Sequence, residues 1–405
     1  MKSPKRLWFR SITLTMLVAS SGFAGASEPQ RVPMVVEVGG QAREARIPSG
    51  YRLEVLTEAL QSPRLLSFAP DGDLFLGSKA GRVYRLRPPY REPEVFASPG
   101  GYPHGVAFRP GEILIAYTGG VYAAPYAPGR PALRRGEQRL LAALPGGGGG
   151  HTSRTVRVGP DGRIYASLGI SGNCSNEYLS EDYAFELRRG GVLVLDERGS
   201  TPVWRPFASG LRNPIGFDWH PRTGVLYASN NGPDHWGFEL PPEYFSKLAA
   251  GSFHGMPWFQ YDGKAVRRDD CIRTPPPRPA REVVRPAATF PARNAPMAVA
   301  FVPQGALEPG LEGDAIVALR GSWGTRPHGR ASGDPATRRE PKLVRVRFEG
   351  GEARGVEDLV TGFQRPDGSR WARPVGVGFG PDGALYFTSD SGANALFRLS
   401  RVAAD

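Results

Sequence analysis

Apolar and polar positions alternate in short runs along this chain, and the runs are punctuated by a recurring turn. The unit is an alternating apolar strand, then Pro with a turn residue and Gly, then a second apolar strand. It occurs at residues 66–76, 106–115, 156–166, 217–227, 299–318 and 377–387. The turns carry Pro70 and Gly72, Pro110 and Gly111, Pro160 and Gly162, Pro221 and Gly224, Pro303, and Pro381 and Gly383. Proline presets φ at the second turn position and glycine accepts positive φ, so each copy encodes a hairpin. Period-two alternation on both flanks predicts strands rather than helices.

Several copies continue into a third strand after another turn, as at 81–86, 191–195 and 395–399. Units of three or four antiparallel strands repeating at about forty residues or more predict the blades of a β-propeller. Six copies argue for six blades over a β-sandwich with repeated turn chemistry. The fold class is therefore all-β, a six-bladed β-propeller with loop insertions between blades. The isolated strand at 51–56 is expected to complete the last blade and close the ring, removing an exposed edge. Spacing widens in the middle of the chain, so the central blades carry long insertions. Within one of these, 234–272, residues 241–248 are read as the start of a short helix. Residues 260–293, rich in Pro and Arg, are read as extended loop.

Composition supports many tight turns, with 53 Gly and 40 Pro. The N-terminus has the pattern of an export signal: Lys2, Lys5, Arg6 and Arg10, then an apolar stretch, then Ala24-Gly25-Ala26. The expected organisation is a signal peptide over 1–26, an N-terminal extension over 27–50 and the propeller over 51–405. The apolar stretch is too short to span a bilayer, and no membrane anchor is expected. The mature protein is expected in the periplasm or secreted.

The formal charge of +12 falls to about +8 when the four leader cations are removed. Arginines are spread through turns and strand ends rather than gathered in a block, which argues against nucleic acid as a partner. Cys174 and Cys271 are the two cysteines. In an oxidising compartment they are candidates for a disulfide, with two free buried thiols as the alternative. They make a poor metal site without histidines at ligand spacing.

The residues just before each repeated hairpin should lie at one mouth of the central channel. They read Pro103-His104-Gly105, His151-Thr152-Ser153-Arg154, Arg212-Asn213-Pro214, Ala295-Pro296-Met297 and Arg373-Pro374-Val375. Cations and histidines recur there. His151 follows five glycines and suits general-base work near neutral pH; a surface histidine after a flexible loop is the plain alternative. His104 is a weaker candidate. His220, beside a turn proline, is expected at the surface, and His235, His254 and His328 carry no assignment. Arg212 offers a fork of donors to a carboxylate or quinone oxygen. The stretch ending in Gly232-Pro233-Asp234 combines turn carbonyls with an acid, which suits calcium, although an ordinary turn has the same composition.

Together these motifs resemble the soluble pyrroloquinoline-quinone-dependent sugar dehydrogenases of the glucose and aldose type, with a closer likeness to the L-sorbosone dehydrogenase branch. The resemblance spans about residues 51–398. It rests on the glycine run into His151 with 155–162, on 210–214, on 240–244, on Ala318-Leu319-Arg320-Gly321-Ser322-Trp323 and on 373–377. It implies that His151 takes a proton from a sugar hydroxyl while hydride passes to the quinone. Arg212 matches an arginine near the reacting quinone oxygen, and Asn213 matches its neighbour at the cofactor. Arg320 and Arg373 match cations that bind cofactor carboxylates, and Gly232, Pro233 and Asp234 fall where that family holds calcium. A sugar substrate and an unidentified electron acceptor are the implied partners. Three departures touch the cofactor site. Arg320 and Gly324 stand where the branch commonly has His and Asn, His254-Gly255-Met256-Pro257 replaces Tyr-Gly-Trp-Pro, and Val375 replaces an arginine of the glucose type. A calcium-dependent lactonase and a non-catalytic ligand-binding propeller are the competing readings.

Overall fold

Each repeated phrase folds as the turn chemistry dictates. In the computed structural model, which describes Met1, residues 30–146 and residues 149–402, six antiparallel hairpins form at the six phrases. Their strands are Pro63–Phe68 with Leu74–Ser78, Gly105–Arg109 with Glu112–Tyr117, and Val156–Val158 with Ile164–Leu168. The others are Phe217–Trp219 with Leu226–Asn230, Pro296–Phe301 with Ala315–Leu319, and Pro374–Phe379 with Leu385–Ser391. Each hairpin extends into a sheet of four antiparallel strands, to which blade III adds Ser252–Phe253 in parallel, and the six sheets are blades I to VI in that order. The expected leader lies outside the described residues apart from Met1, as do Gly147 and Gly148 of the glycine run. Among the described residues no helix is long and apolar enough to cross a membrane.

Neighbouring blades pack their innermost strands side by side, and small residues allow it. Cβ atoms added at Gly105 and Gly376 would lie 3.0 Å from the Val156 nitrogen and 2.5 Å from the Arg64 carbonyl oxygen. Farther out, rings of the repeated phrase meet across the blade boundaries. Phe75–Phe108, Tyr165–Trp219 and Phe68–Tyr386 each stand edge to face with centroids 5.1 Å apart. Such pairs add about 0.5–1.5 kcal/mol each beyond the area they bury. Blade VI is closed by the expected opening strand, since Tyr51–Thr57 pairs with Ala393–Arg401. The first and last strands thus cover each other's free edge.

Residues preceding that strand form a further hairpin, Arg31–Val38 with Gln41–Pro48. Its buried Val36, Val38, Ala45 and Ile47 share one hydrophobic cluster with Phe363, Trp371 and Leu53.

Three expectations change. The helix start at 241–248 is instead the strand Glu243–Leu248, paired on one side with Leu226–Asn230 and on the other with Ala288–Phe290. As the third strand of blade IV it is buried on both faces, so its sequence lacks the alternation of a half-exposed strand. The stretch 260–293 is not loop throughout: it enters the hairpin of Phe259–Tyr261 with Val266–Arg268 and holds the outer strand Ala288–Phe290. His220 is fully buried rather than at the surface. Its ring packs against Phe301 and Phe348 of the next blade, and its Nδ1 accepts from the Arg222 and Thr223 amides.

Candidate functional site

The inner strands of all six blades begin at the same pole, so the residues that precede them converge there. Two groups of side chains result. The first contains His151, Arg212, Asn213 and Asp234; the second contains Arg320 and Arg373.

His151 is held at the end of the glycine run by its Nδ1, which lies against the carbonyl oxygen of Ile170. A carbonyl only accepts, so Nδ1 carries the proton and the Nε2 lone pair is left available. Burial first, and the Arg212 charge second, push the imidazole pKa down to about 4. The ring is therefore neutral at neutral pH. Gly169 makes the space: a Cβ there would lie 2.5 Å from Asn213 Oδ1 and would strike His151. Asn213 Oδ1 is buried without a hydrogen-bond partner among the described residues.

Arg212 is fixed by three neighbours. Its Nε donates to Asn173 Oδ1 at 2.9 Å, Nη2 pairs with Asp234 Oδ2 at 2.9 Å, and Nη1 reaches the Asn231 carbonyl at 3.5 Å. Burial lowers its pKa, an effect that Asp234 and Glu243 oppose. Asn173 also accepts from the Asp234 amide at 3.2 Å. The next residue, Cys174, is disulfide-bonded to Cys271, 97 positions later in sequence. The candidate disulfide is thus formed, and it ties the loop bearing Asn173 to the insertion of blade IV. His235 stands beside the two sulfurs, but these are bonded to each other and His235 Nε2 contacts the Asp269 carboxylate.

The second group is an arginine wall. Asp390 receives Arg320 Nε at 2.9 Å and is ion-paired with Arg64. Burial opposes ionisation of Asp390, yet these two arginines hold its pKa below the ordinary value. Arg373 donates to the carbonyls of Arg320 and Gly321, each at 2.9 Å, and Arg370 donates to those of Ser322 and Arg339. Burial, then neighbouring guanidinium groups, push Arg373 down to about 9 and Arg370 to about 10. Positive charge here exceeds what Asp390 neutralises. His104 lies behind the wall, fully buried, with Nε2 3.5 Å from Arg64. Burial and Arg64 push its pKa down.

Several residues of this pole are absent from the sequence-derived set, Arg64, Asp390 and Glu243 among them. Arg64 occupies in blade I the position that Val375 occupies in blade VI, one residue beyond the equivalent Pro63 and Pro374. Asp390 follows Ser389 as Asn231 follows Asn230 in blade IV, since Ser389 and Asn230 accept from the equivalent Arg373 and Asn213 amides. Glu243 is fully enclosed, accepts from the Gly232 amide, and is pushed up to about 7 by burial, opposed by that amide and by Arg212. Its only sequence signal was membership of the matched 240–244 stretch.

The residues present fit a polyanionic quinone: an arginine wall short of carboxylates, a neutral imidazole and an orphaned buried amide oxygen. They do not fit calcium with Asp234 as a ligand. Asp234 Oδ1 pairs with Arg293 at 2.5 Å while Oδ2 pairs with Arg212, so both oxygens are taken by cations. Among the described residues, the pole likewise lacks the open carboxylates that a calcium-dependent lactonase would need. A cavity of about 800 Å³ lies between blades I and II around Tyr117, Tyr122 and Arg134 and includes none of these residues.

Six blades close into a ring with a neutral imidazole and a wall of arginines at one mouth. The chain belongs to the glucose/sorbosone dehydrogenase family, whose profile matches residues 131–398. Solved structures of similar fold include a *Trichoderma reesei* carbohydrate-active enzyme of family AA12 in a calcium structure, 18% identical with a TM-score of 0.71. That match covers 93% of this chain and 98% of the other. The holo quinone domain of a *Coprinopsis cinerea* pyranose dehydrogenase is 18% identical with a TM-score of 0.68, covering 90% and 98%. The quinone-bound aldose sugar dehydrogenase of *Streptomyces coelicolor* is 18% identical with a TM-score of 0.60, covering 87% and 99%. An uncharacterized protein of *Borreliella burgdorferi* is 22% identical over 368 residues, 87% of this chain and 90% of its own.

Proposed function

We propose that this protein is an exported sugar dehydrogenase that oxidises an aldose or a related hydroxy or aldehyde sugar with pyrroloquinoline quinone as its bound oxidant. The observation that carries the reading is His151, buried, neutral and with Nε2 as its open nitrogen, set beside the fixed charge of Arg212. Arg320, Arg373, Arg370 and Arg64 would hold the carboxylates of the quinone, and Asn213 would meet its polar edge. When bound, the quinone supplies the two-electron sink that receives hydride from the carbon bearing the substrate hydroxyl.

The protein's own part is proton transfer and charge placement. His151 Nε2 takes the hydroxyl proton, while Nδ1–H remains on Ile170 and keeps the ring oriented. Loss of hydride and proton together converts the hydroxyl carbon to a carbonyl. Arg212 disfavours premature protonation of His151 and offers positive charge to oxygen that becomes negative. No step runs through calcium, because the Asp234 carboxylate is already neutralised.

The test is to add quinone to the purified apo-protein and follow reduction of an artificial electron acceptor across a panel of aldoses and sugar aldehydes. Sugar-dependent reduction that requires quinone is expected. Absence of quinone binding would leave a ligand-binding propeller as the surviving reading.

A further inference from the structure

Both carboxylate oxygens and the carbonyl of Asp234 are engaged by nitrogen donors of the protein itself. Arg293 Nη1 is 2.5 Å from Asp234 Oδ1, and its Nη2 donates to the Asp234 carbonyl. Its Nε and Nη2 also reach the Gly237 carbonyl at 2.8 and 2.6 Å. Arg212 takes Asp234 Oδ2 and the Asn231 carbonyl. Glu243 is bound by the Gly232 amide. The carbonyls of Gly232 and Pro233 accept no hydrogen bond from a described residue.

Arg293 is built into this position. Its side chain is 4% exposed, its φ is 70°, and Ala295 close by has φ 51°. Non-glycine residues persist in that left-handed region only where the surroundings hold them there. Gly329 packs on the guanidinium so closely that a Cβ would lie 2.7 Å from Nη2.

Calcium asks for six to eight oxygen ligands, and a divalent ion here would also face two guanidinium groups across one carboxylate. We infer that the Arg293 guanidinium is a built-in cation that replaces a divalent metal at the Asp234 turn, so that the protein takes up its quinone without calcium there. The inference rests on reading this pole as the quinone site, but metal binding can be measured without the quinone.

The experiment uses chelator-treated full-length protein, titrated with calcium chloride and followed by thermal unfolding and calorimetry. The wild type is expected to show no Tm change beyond about 1 °C at millimolar calcium. Arg293→Gln exchanges the cation for an amide oxygen, and it should gain a calcium-dependent, chelator-reversible rise in Tm that disappears when Asp234→Asn is added. Quinone binding by the wild type should be unaffected by chelator. One calcium bound by the wild type and lost in Asp234→Asn, or quinone binding only in the presence of calcium, would overturn the inference. If Arg293→Gln does not fold, those wild-type comparisons decide alone. Failure to bind quinone under any condition counts against the proposed function, while the calcium titrations still decide the role of Arg293.

Discussion

The imidazole of His151 donates through Nδ1 to the carbonyl oxygen of Ile170, and this one contact fixes both its tautomer and its direction. With its pKa pushed down to about 4, the base is unprotonated across the neutral range. Catalysed oxidation should therefore be limited by His151 only in acid, falling as the pH drops through about 4 and reaching a plateau above it. His151→Gln should lower turnover by about 10²–10⁴ while leaving quinone affinity nearly unchanged. A steady-state pH profile on both proteins checks this.

Gly169 is the counterpart of that geometry. A single methyl group at this position would compete with His151 and Asn213 for space. Gly169→Ala should reduce turnover at least tenfold and destabilise the fold by about 1–3 kcal/mol, measured by kinetics and denaturant unfolding. Wild-type turnover in this variant would show that the pocket relaxes without cost.

Asp390 neutralises two arginines, one of them buried. Asp390→Asn leaves those charges unanswered and should cost about 3–5 kcal/mol. Because the missing charge can be supplied from outside, millimolar phosphate should stabilise this variant more than it does the wild type. Thermal unfolding with and without phosphate measures the difference.

Glu243 gives a pH signature in stability. Its carboxyl is raised from 4.5 to about 7 by burial, so the folded state holds its proton longer than the unfolded chain does. Its stabilising contribution is complete below about 4.5 and declines as pH rises through 7. The Tm of the wild type should therefore fall more steeply between pH 5 and about 7.5 than that of Glu243→Gln. Parallel slopes for the two proteins would remove Glu243 as the cause.

The Cys174–Cys271 bridge closes a long loop and braces Asn173, which in turn orients Arg212. Reduction, or Cys174→Ser with Cys271→Ser, should cost about 2–5 kcal/mol and lower turnover through Arg212. Denaturant unfolding and kinetics in the presence of reductant separate the two effects.

The ring was legible because hairpins are encoded locally: a proline, a glycine and alternating flanks suffice, and the phrase recurs at each blade. Its repetition also marked the mouth, which is why His151, Arg212 and Arg373 could be picked out before any coordinates. What stayed hidden depended on packing between blades. His220 has a surface-turn sequence, yet Phe301 and Phe348 of the next blade enclose it. Glu243 lies on a strand buried on both faces, where alternation vanishes. Asp234 read as a metal ligand because Arg293, 59 residues later, gives no local sign that its side chain returns to it.

The most direct test of the account is a single-turnover experiment at neutral pH. One equivalent of quinone is bound to the apo-protein, an aldose is added, and the absorption spectrum is followed without any other electron acceptor. Stoichiometric binding of one quinone per chain is expected, with rapid reduction of it by sugar in the wild type and reduction slowed by at least about a hundredfold in His151→Gln. Equal reduction in the two proteins, or no binding of the quinone at all, would contradict it.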